Sequence, residues 1–262
     1  MNQARNKVWT RTTLKAPHDL EDKRGRIQEM FSAIAGTYDL LNHLLSLNLD
    51  RRWRRKAAKL APMQPGQKVL DLCCGTGDLA ITFAELYPEL TIIVGVDFAE
   101  AMLGIANNKM RTGRAKEYFG RCNFPYIKWL CSDAECLPFA DEQFDCVSCA
   151  FGIRNLQNLL CGLQESYRVL KSGGHLVILE FAMPNHRLFE WLYAGYFRLV
   201  LPLIGSIIAK DAQGAYHYLP ESVRSFSSAA ELTETIRKTG FEAVHVERIS
   251  GGIVAAYVAR KP

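Results

Sequence analysis

Residues 71–80 read DLCCGTGDLA, and this stretch decides the fold of the chain. It continues an apolar run that begins at residue 68, so a buried strand leads into a glycine-rich turn. The segment from Gly75 to Ala80 satisfies the pattern G-x-G-x-x-G/A, whose glycines permit a tight turn close to a ligand. Dinucleotides and other nucleosides both suit this pattern, so the rest of the chain has to identify the ligand.

Downstream of residue 68, short β-rich runs alternate with helical patterns. The predicted strands are almost continuously apolar, as expected of strands that are buried on both faces. They lie at 68–73, 91–97, 127–133, 144–151 and 175–181, with helices at 78–87, 99–110, 156–170 and 229–238. This alternation predicts an α/β fold with a doubly wound, mostly parallel sheet.

The end of the chain differs from this pattern. Two further strands, at 242–249 and 253–260, are separated only by Ser250, Gly251 and Gly252, so they must be antiparallel. A seven-stranded, Rossmann-like sheet with an antiparallel last strand is the topology of class I methyltransferases, and dinucleotide dehydrogenases lack this ending. Because fold alone does not establish function, the site residues have to carry the argument.

We expect a single domain at residues 25–262, preceded by a flexible basic tail at 1–24. A helical cap is predicted at 25–62 and a lid insertion at 185–222, both at the carboxyl edge of the sheet, where open α/β sheets bind ligands. The longest apolar stretch, 191–209, contains Arg198 near its middle, which opposes membrane insertion by ~3 kcal/mol. It is therefore interpreted as part of the lid and not as a transmembrane helix.

Composition favours a cytoplasmic enzyme. A net charge of +5 over 262 residues is only mildly basic, so no nucleic-acid partner is predicted. The first residues lack the apolar core of a signal peptide, and the eight cysteines lie mostly in apolar runs, which indicates reduced thiols. Cys146 and Cys149 form a C-x-x-C, but residues three apart on a strand face opposite sides, so no metal site is predicted.

Acidic residues at the strand ends identify the ligand class. Asp97 ends the second strand, where a carboxylate accepts hydrogen bonds from ribose hydroxyls. A dinucleotide would place its pyrophosphate at the helix that begins at Asp78, whose charge would repel it. S-adenosylmethionine has no phosphate and has a cationic end, so it fits better. Asp133 and Ala134 end the third strand, where they are expected to hold the adenine ring.

Further motifs narrow the resemblance. VLDLCCGTG, GVD, SDAECLPFADEQFDCV and RVLKSGG resemble, in this order, the motifs of a class I methyltransferase. YDLLNHLLS at 38–46, FGIRN at 151–155, YHYLPESVRSF at 216–226 and GGIVA at 251–255 resemble the ubiquinone/menaquinone biosynthesis C-methyltransferase family, of the demethylmenaquinone methyltransferase type. The likeness spans about residues 27–260. The chain has Leu41, Asn48, Asp50, Ala150 and Ser172 where that family usually has Met, Gly, His, Ser and Pro.

The resemblance implies S-adenosylmethionine-dependent C-methylation of a prenylated quinol: demethylmenaquinol to menaquinol, the equivalent benzoquinol step of ubiquinone synthesis, or both. A ring carbon becomes nucleophilic when the adjacent hydroxyl loses its proton, so the protein has to position the reactants and stabilise a phenolate. We expect Arg154 to stabilise that anion. His43, His217 and a water molecule are alternative proton acceptors.

The remaining site predictions concern the two ligands. The candidate cofactor-binding residues are Asp71, Gly75, Thr76, Gly77, Asp97, Phe98, Asp133 and Ala134. The candidate substrate-binding residues are Tyr38, Asn42, Asn155, Tyr218 and Arg224. The basic run RRWRRK at 51–56 is a solvated helix face, a contact with anionic lipid or, as a third option, a contact with RNA. We also expect peripheral contact with the inner membrane. The chain is further expected to form a homo-oligomer or to join a quinone-biosynthesis complex.

Rival functions stay open at this point. The first is methylation of another small aromatic or lipid acceptor, and the second is an NAD-dependent oxidoreductase. The third is a non-catalytic membrane-associated scaffold. A nucleic-acid methyltransferase is disfavoured, because FGIRN occupies the place where such enzymes have an Asn-Pro-Pro-Tyr run.

Overall fold

The computed structural model describes residues 8–10, 12–112, 126–183 and 214–262. The apolar stretch at 191–209 and most of the predicted lid at 185–222 lie outside these residues. Seven strands form one sheet, and helices pack against it. The elements are α1 Lys23–Leu45, α2 Leu49–Lys59, β1 Lys68–Leu72, α3 Asp78–Leu86, β2 Ile92–Asp97, α4 Glu100–Thr112, β3 Tyr126–Cys131, β4 Phe144–Ala150, α5 Leu159–Val169, β5 Leu170–Phe181, α6 Ala215–Ser225, α7 Ala229–Lys238, β6 Glu242–Ile249 and β7 Val254–Arg260.

The strands lie in the order β3-β2-β1-β4-β5-β7-β6. Strands β1 to β5 pair in parallel, and β7 runs antiparallel to both β5 and β6. The predicted doubly wound, mostly parallel sheet with an antiparallel last strand is confirmed. The strand order reverses between β1 and β4, and such a switch point is where open α/β sheets bind ligands.

Alternation along the strands separates two apolar cores. On β1, Leu70 and Leu72 belong to one cluster of buried side chains and Val69 to the other. On β4, Cys149 belongs to the first cluster and Cys146 to the second, as the alternation of a strand requires. The thiols of this C-x-x-C are free and face opposite sides of the sheet.

One strand and one helix differ from the prediction for identifiable reasons. Strand β5 begins at Leu170, and not at 175, because it already pairs with Phe144 of β4 before a bulge in the register. Helix α6 was not predicted. It contains Pro220, and a proline inside an apolar insertion is a poor signal for a helix.

Part of the segment expected to be a flexible tail is packed. The Trp9 side chain is buried and lies against Tyr218, with ring centroids 4.3 Å apart. Nη1 of Arg26 donates a hydrogen bond to the Val8 carbonyl at 2.9 Å, and Nε2 of His18 lies 2.9 Å from the Ser222 carbonyl. The described residues before α1 therefore cover α6, which departs from the expectation of a tail through residue 24.

The predicted helical cap is formed by α1 and α2. Helix α1 contacts α4, whereas α2 contacts α3, β5 and β7, and its Trp53, Ala57 and Ala58 belong to one of the two apolar clusters. The turn between the two cap helices holds Leu47 and Asn48 at positive φ angles of 52° and 59°. Among the described residues, no helix has the length and apolar composition required to cross a membrane.

Candidate active site

A cleft of about 640 Å³ opens at the carboxyl ends of β1 to β4, beside the switch point of the sheet. Strand ends form one side of it, and α1 contributes the other. Predicted residues that line the cleft are Gly75, Asp97, Phe98, Asp133, Ala134, Tyr38 and Asn155. A smaller neighbouring cavity of about 310 Å³ is lined by Tyr38, Gly75, Asp71, Thr76, Arg54 and Asp78, among others.

The two glycines of the turn serve different purposes. Gly75 has a φ of +54°, and no atom lies within 4 Å of the position that a Cβ would occupy, so its backbone faces open space. Gly77 has a φ of +83°, and a Cβ there would overlap the ring of Trp129. Close approach to a ligand is thus available at Gly75, whereas Gly77 permits helix α3 to pack against β3.

Asp97 ties this turn to the end of β2. One carboxylate oxygen accepts a hydrogen bond from the Gly75 backbone N–H at 2.8 Å, and the other accepts one from the Ala99 N–H at 2.8 Å. Burial raises the pKa of Asp97 from its ordinary value. The carboxylate lies in the wall of the cleft with acceptor capacity left, because an ionised carboxylate has about four lone-pair sites.

Asp71 lies deeper, beneath the glycine-rich turn. It accepts hydrogen bonds from the Ser148 hydroxyl at 2.7 Å and from the Ala80 N–H at 3.1 Å. These bonds favour its charged form, but burial dominates and raises the pKa of Asp71 to about 7. Asp71 therefore binds strand β4 to helix α3 and is poised to change its charge near neutral pH.

Asp133 already has a cationic partner. Its carboxylate pairs with Nη1 of Arg24 at 2.6 Å and accepts the Glu135 N–H at 3.0 Å. Arg24 belongs to α1 and lines the same cleft, so the cap reaches across the site predicted for adenine. The Arg24 side chain is 56% exposed, so this ion pair is largely open to solvent.

A buried charged network joins the two cap helices to α3. The Arg54 guanidinium pairs with Asp50 and, at 3.6 Å, with Asp78. Asp50 accepts a hydrogen bond from the Ser46 hydroxyl at 2.7 Å and lies 2.9 Å from Nδ1 of His43. Burial alone would raise the pKa of Asp50, but Arg54 and Ser46 lower it. His43, a predicted proton acceptor, is thus tied to Asp50 outside the lining of the cleft.

The same network continues to α4. Nζ of Lys109 lies 2.7 Å from Asp39, 2.6 Å from Asp78 and 2.9 Å from the Thr76 hydroxyl. The Thr76 hydroxyl in turn donates to Asp39 at 2.5 Å. Burial alone would raise the pKa of Asp78, but Arg54 and Lys109 lower it. The glycine-rich turn is therefore clamped between the cap and α4.

Three side chains of this network could offer metal ligands. His43, Asp50 and Asp78 place ligand atoms within 4.8 Å of one another. Arg54 pairs with both carboxylates, and Lys109 pairs with one of them. Protein cations thus already pair with both carboxylates, and the absence of a metal stays a prediction.

Arg154 lies in the short turn that follows β4, and its guanidinium is buried. Nη1 donates to Glu180 at 2.7 Å and to the Phe151 carbonyl at 2.6 Å. Burial alone would lower the pKa of Arg154, but Glu180 raises it, so the group is a cation. The neighbouring Asn155, and not Arg154, lines the cleft.

Two amide–tyrosine pairs shape this end of the cleft. Asn155 accepts a hydrogen bond from the Tyr218 hydroxyl at 2.9 Å, and Tyr218 is itself buried behind it. Tyr38 lines the cleft, and its hydroxyl is hydrogen-bonded with the Asn42 side chain. Burial raises the pKa of both tyrosines, so they are neutral phenols.

Two predicted residues lie away from the cleft. His217 is exposed on α6. Arg224, on the same helix, pairs with Glu221 at 2.6 Å, and its side chain is 69% exposed. The motif at 216–226 does not indicate which side of the helix faces the cleft, so the sequence could not show that His217 and Arg224 point away from it.

Lys23 is a residue that the sequence analysis missed. It is buried, and its ammonium donates to the carbonyls of Arg154 at 3.0 Å and Leu156 at 2.5 Å. Burial lowers the pKa of Lys23 to about 8. A lysine at the start of a helix is ordinarily exposed, so nothing in the sequence marks it as the group that fixes this turn.

The departures at 48 and 50 have structural explanations. Asn48 immediately precedes α2 and lies in the left-handed region, which glycine and asparagine adopt more readily than other residues. Asp50 supplies the carboxylate that pairs with Arg54. Position 48 therefore keeps the backbone that a glycine would permit, and position 50 completes the cap network.

Comparison with known proteins gives a consistent result. A model of the ubiE/COQ5 methyltransferase family matches residues 18–261. The "Ubiquinone/menaquinone biosynthesis C-methyltransferase UbiE" of Geobacter sulfurreducens is 43% identical over 92% of this chain and 91% of that protein. The "Demethylmenaquinone methyltransferase" of Deinococcus radiodurans is 43% identical over 93% and 95%. A SAM-dependent methyltransferase of Thermotoga maritima has a similar fold, with a TM-score of 0.58 at 20% identity, covering 89% of this chain and 99% of that one.

Proposed function

The chain belongs to the ubiE/COQ5 methyltransferase family, and we propose that it methylates a ring carbon of a prenylated quinol with S-adenosylmethionine as the methyl donor. The observation that carries the proposal is the cleft at the switch point. It brings the acidic strand end at Asp97 together with the FGIRN turn at Asn155. The preferred acceptors are a demethylnaphthoquinol and the equivalent benzoquinol.

The charges of the site fit this cofactor. The cap network contains the carboxylates of Asp39, Asp50 and Asp78 and the cations of Arg54 and Lys109, which leaves one negative charge when His43 is neutral. S-adenosylmethionine has a net positive charge, whereas the pyrophosphate of a dinucleotide is anionic. This balance favours a methyl donor over NAD.

Each part of the cofactor has candidate partners. Asp97 would accept the ribose hydroxyls, and Asp133 with Ala134 would hold adenine. The turn at Gly75 and Thr76 would cover the amino-acid end, whose carboxylate suits Arg54. When bound, the cofactor supplies an electrophilic methyl group. The protein's task is then to orient the acceptor, exclude water and stabilise the anion that forms on the ring.

Arg154 was expected to stabilise the phenolate, but its guanidinium pairs with Glu180 and does not line the cleft. We therefore propose that it acts on the acceptor pocket through the FGIRN turn and not by contact with the ring. Glu180 balances its charge, and Lys23 fixes the backbone of its turn. Of the three proton acceptors considered, His43 is bound to Asp50 and His217 is exposed. We therefore favour a water molecule as the group that first accepts the quinol proton.

The acceptor's prenyl tail implies a lipid partner. A quinol with an isoprenoid chain partitions into a bilayer, so a protein that methylates it has to contact the membrane surface. We propose a cytoplasmic protein with peripheral contact at the inner membrane. Self-association, or assembly with other enzymes of quinone biosynthesis, stays a prediction.

The test uses purified protein and S-adenosylmethionine with a labelled methyl group. Short-tailed demethylnaphthoquinol and methoxybenzoquinol are offered in both reduced and oxidised forms, and the extracted lipid is analysed for label in the ring. We expect label only with reduced acceptors, because only a quinol gives the phenolate. Cofactor binding without ring label from any quinol would contradict the proposal and favour another small aromatic or lipid acceptor.

A further inference from the structure

Three large apolar side chains are exposed together on the cap. Leu40 is 60% exposed, Leu44 44% and Leu47 79%. Leu40 and Leu44 are one turn apart on α1, and Leu47 follows in the turn after this helix, so they form a continuous ridge. A row of exposed leucines on a globular protein indicates an interaction surface.

The exposure of Leu47 is built into the backbone. Its φ of 52° lies in the left-handed region, which leucine rarely adopts. The turn is fixed by hydrogen bonds from the Ser46 N–H to the Asn42 carbonyl at 2.9 Å and from the Asn48 N–H to the His43 carbonyl at 2.7 Å. Unfavourable backbone conformations persist where the surrounding structure enforces them, often at functional sites.

Three exposed arginines on α2 follow the leucines in the chain, and Arg51 lies four residues after Leu47. Arg51, Arg52 and Arg55 are exposed, and no carboxylate of the described chain pairs with them. Their neighbours behave differently, because Arg54 is buried in the cap network and Lys56 pairs with Glu247 at 2.5 Å. The cap thus carries exposed leucines and exposed arginines within one segment, residues 40–55.

We propose that Leu40, Leu44, Leu47, Arg51, Arg52 and Arg55 form a docking surface for an anionic lipid bilayer. The arginines bind lipid phosphates, and the leucines enter the boundary between head groups and acyl chains. This inference rests on the proposed function, which places the acceptor in a bilayer. RNA would complement the arginines and leave the leucines exposed, whereas a bilayer complements both.

The surface is connected to the cleft through one helix. Tyr38 lines the cleft from α1, and Leu40 begins the ridge two residues later. Asp39, between them, contacts the glycine-rich turn through Thr76 and Lys109. Docking through this helix therefore holds the wall of the cleft at the lipid surface from which a prenylated acceptor is drawn.

The experiment is sedimentation with vesicles of phosphatidylcholine, alone or with one third phosphatidylglycerol. The variants are Leu44→Gln/Leu47→Gln and Arg51→Gln/Arg52→Gln/Arg55→Gln, and the matched controls are Leu160→Gln and Arg237→Gln/Lys238→Gln. We expect binding to anionic vesicles to fall about 100-fold in the arginine variant, from ~1 kcal/mol for each basic residue. The leucine variant should lose about 10-fold or more, and the controls should match the unmodified protein.

A second readout separates this proposal from the proposed function. Methylation of a short-tailed quinol in solution should be unchanged in both surface variants, while methylation of a long-tailed quinol in anionic vesicles should fall with binding. Vesicle binding with no methylation of any quinol would overturn the proposed function and leave the docking surface standing.

Three outcomes would overturn the docking proposal. Unchanged vesicle binding in both variants would remove the surface from membrane contact. A lower melting temperature of the leucine variant with unchanged vesicle binding would show that the leucines stabilise the protein itself. A change in oligomeric state on size-exclusion chromatography with unchanged vesicle binding would assign it to a second copy.

Discussion

Two ion pairs of almost equal length show how differently the two ends of the cleft are built. Arg24 and Asp133 lie 2.6 Å apart at the end predicted for adenine, and their side chains are 56% and 17% exposed. Arg154 and Glu180 lie 2.7 Å apart behind the FGIRN turn, and their side chains are 5% and 1% exposed. The first pair is open to solvent and to a ligand, whereas the second is sealed within the protein.

The surroundings of the pairs repeat this contrast. At the strand ends of β1 to β3, Asp97 and Asp133 use backbone donors and still line the cleft. Around the FGIRN turn, the polar groups of Lys23, Arg154 and Asn155 are bonded to other protein atoms. We infer that the first region binds the cofactor and that the second sets the shape of the acceptor pocket.

The largest expected effect comes from removing one partner of the buried Arg154–Glu180 ion pair. Glu180→Gln leaves the Arg154 guanidinium buried without a counter-charge, which should lower the free energy of unfolding by ~3–5 kcal/mol. Asp133→Asn removes the partner of an exposed arginine, which should change the free energy of unfolding by ~1 kcal/mol or less. Urea denaturation of both variants, without cofactor, measures the difference.

For cofactor affinity, Asp133→Asn should have the larger effect and Glu180→Gln the smaller one. Calorimetric titration with S-adenosylhomocysteine is expected to show weaker binding for Asp133→Asn. Folded Glu180→Gln, measured at low temperature, should retain most of its affinity. Similar losses of stability in the two variants would mean that burial does not distinguish the two regions.

The glycine pair sharpens the comparison within the cofactor region. Ala at position 77 meets both an unfavourable φ and the Trp129 ring, so Gly77→Ala should destabilise the protein by ~2–4 kcal/mol. Ala at position 75 meets only the unfavourable φ, worth ~1–2 kcal/mol, and its methyl group enters open space. Thermal unfolding of Gly75→Ala and Gly77→Ala tests this order.

A double variant identifies the cause of the Gly77 effect. Trp129→Leu combined with Gly77→Ala should recover part of the lost stability relative to the sum of the single changes, because the overlapping ring is gone. Full additivity would show that the backbone conformation alone accounts for the loss. Gly75→Ala should in any case weaken cofactor binding more than its stability loss suggests.

The grouping of the strand-end residues around one cleft could be predicted because its signals are local. Asp71 and Asp97 lie at the end of apolar runs that read as strands, and Gly75 and Asp133 follow such runs. Parallel strands bring their carboxyl ends to one edge of the sheet. The sheet and its antiparallel last strand follow from the same runs. The sequence pattern does not distinguish a glycine that a ligand requires from one that packing requires. Gly77 is of the second kind, because a Cβ there would overlap the Trp129 ring.

The sealed region could not be predicted because its partners are distant in the chain. Arg154 meets Glu180 through the pairing of β4 with β5, and Lys23 reaches the same turn from α1. Tyr218 lies on a helix that the pattern did not reveal. The sequence shows Arg54 only as one residue of the basic run RRWRRK. In the structure it is the one basic residue of this run that is buried.

The third prediction concerns that buried cation. If Arg54 binds the cofactor carboxylate, Arg54→Met should weaken S-adenosylhomocysteine binding by about 10- to 100-fold, as expected for a hydrogen bond between charged groups. Methylthioadenosine lacks the amino-acid end, so its affinity should be nearly unchanged. Isothermal titration with both ligands gives the comparison, and Arg55→Met on the exposed face of α2 is the matched control.

Equal losses for the two ligands would overturn the assignment. Arg54 would then act by holding Asp50 and Asp78 in the cap network and not by contact with a carboxylate. A melting-temperature measurement separates the cases, because a purely structural role lowers stability without distinguishing the ligands. Selective loss of S-adenosylhomocysteine would place the cap network within the cofactor region.

The smallest expected effect is the release of a fraction of a proton from Asp71 when the cofactor binds. Its folded pKa of about 7 lies above the ordinary value of 3.8, so its contribution to stability is full below pH 4 and is lost as the pH rises through 7. A cationic ligand nearby favours the charged carboxylate, so binding at pH 7 should release roughly half a proton. Affinity should therefore increase between pH 6 and pH 8. Titrations in buffers of different ionisation enthalpy measure the release, and Asp71→Asn should remove it. An unchanged release in Asp71→Asn would show that the charge of the cofactor does not act on the carboxyl group beneath the glycine-rich turn.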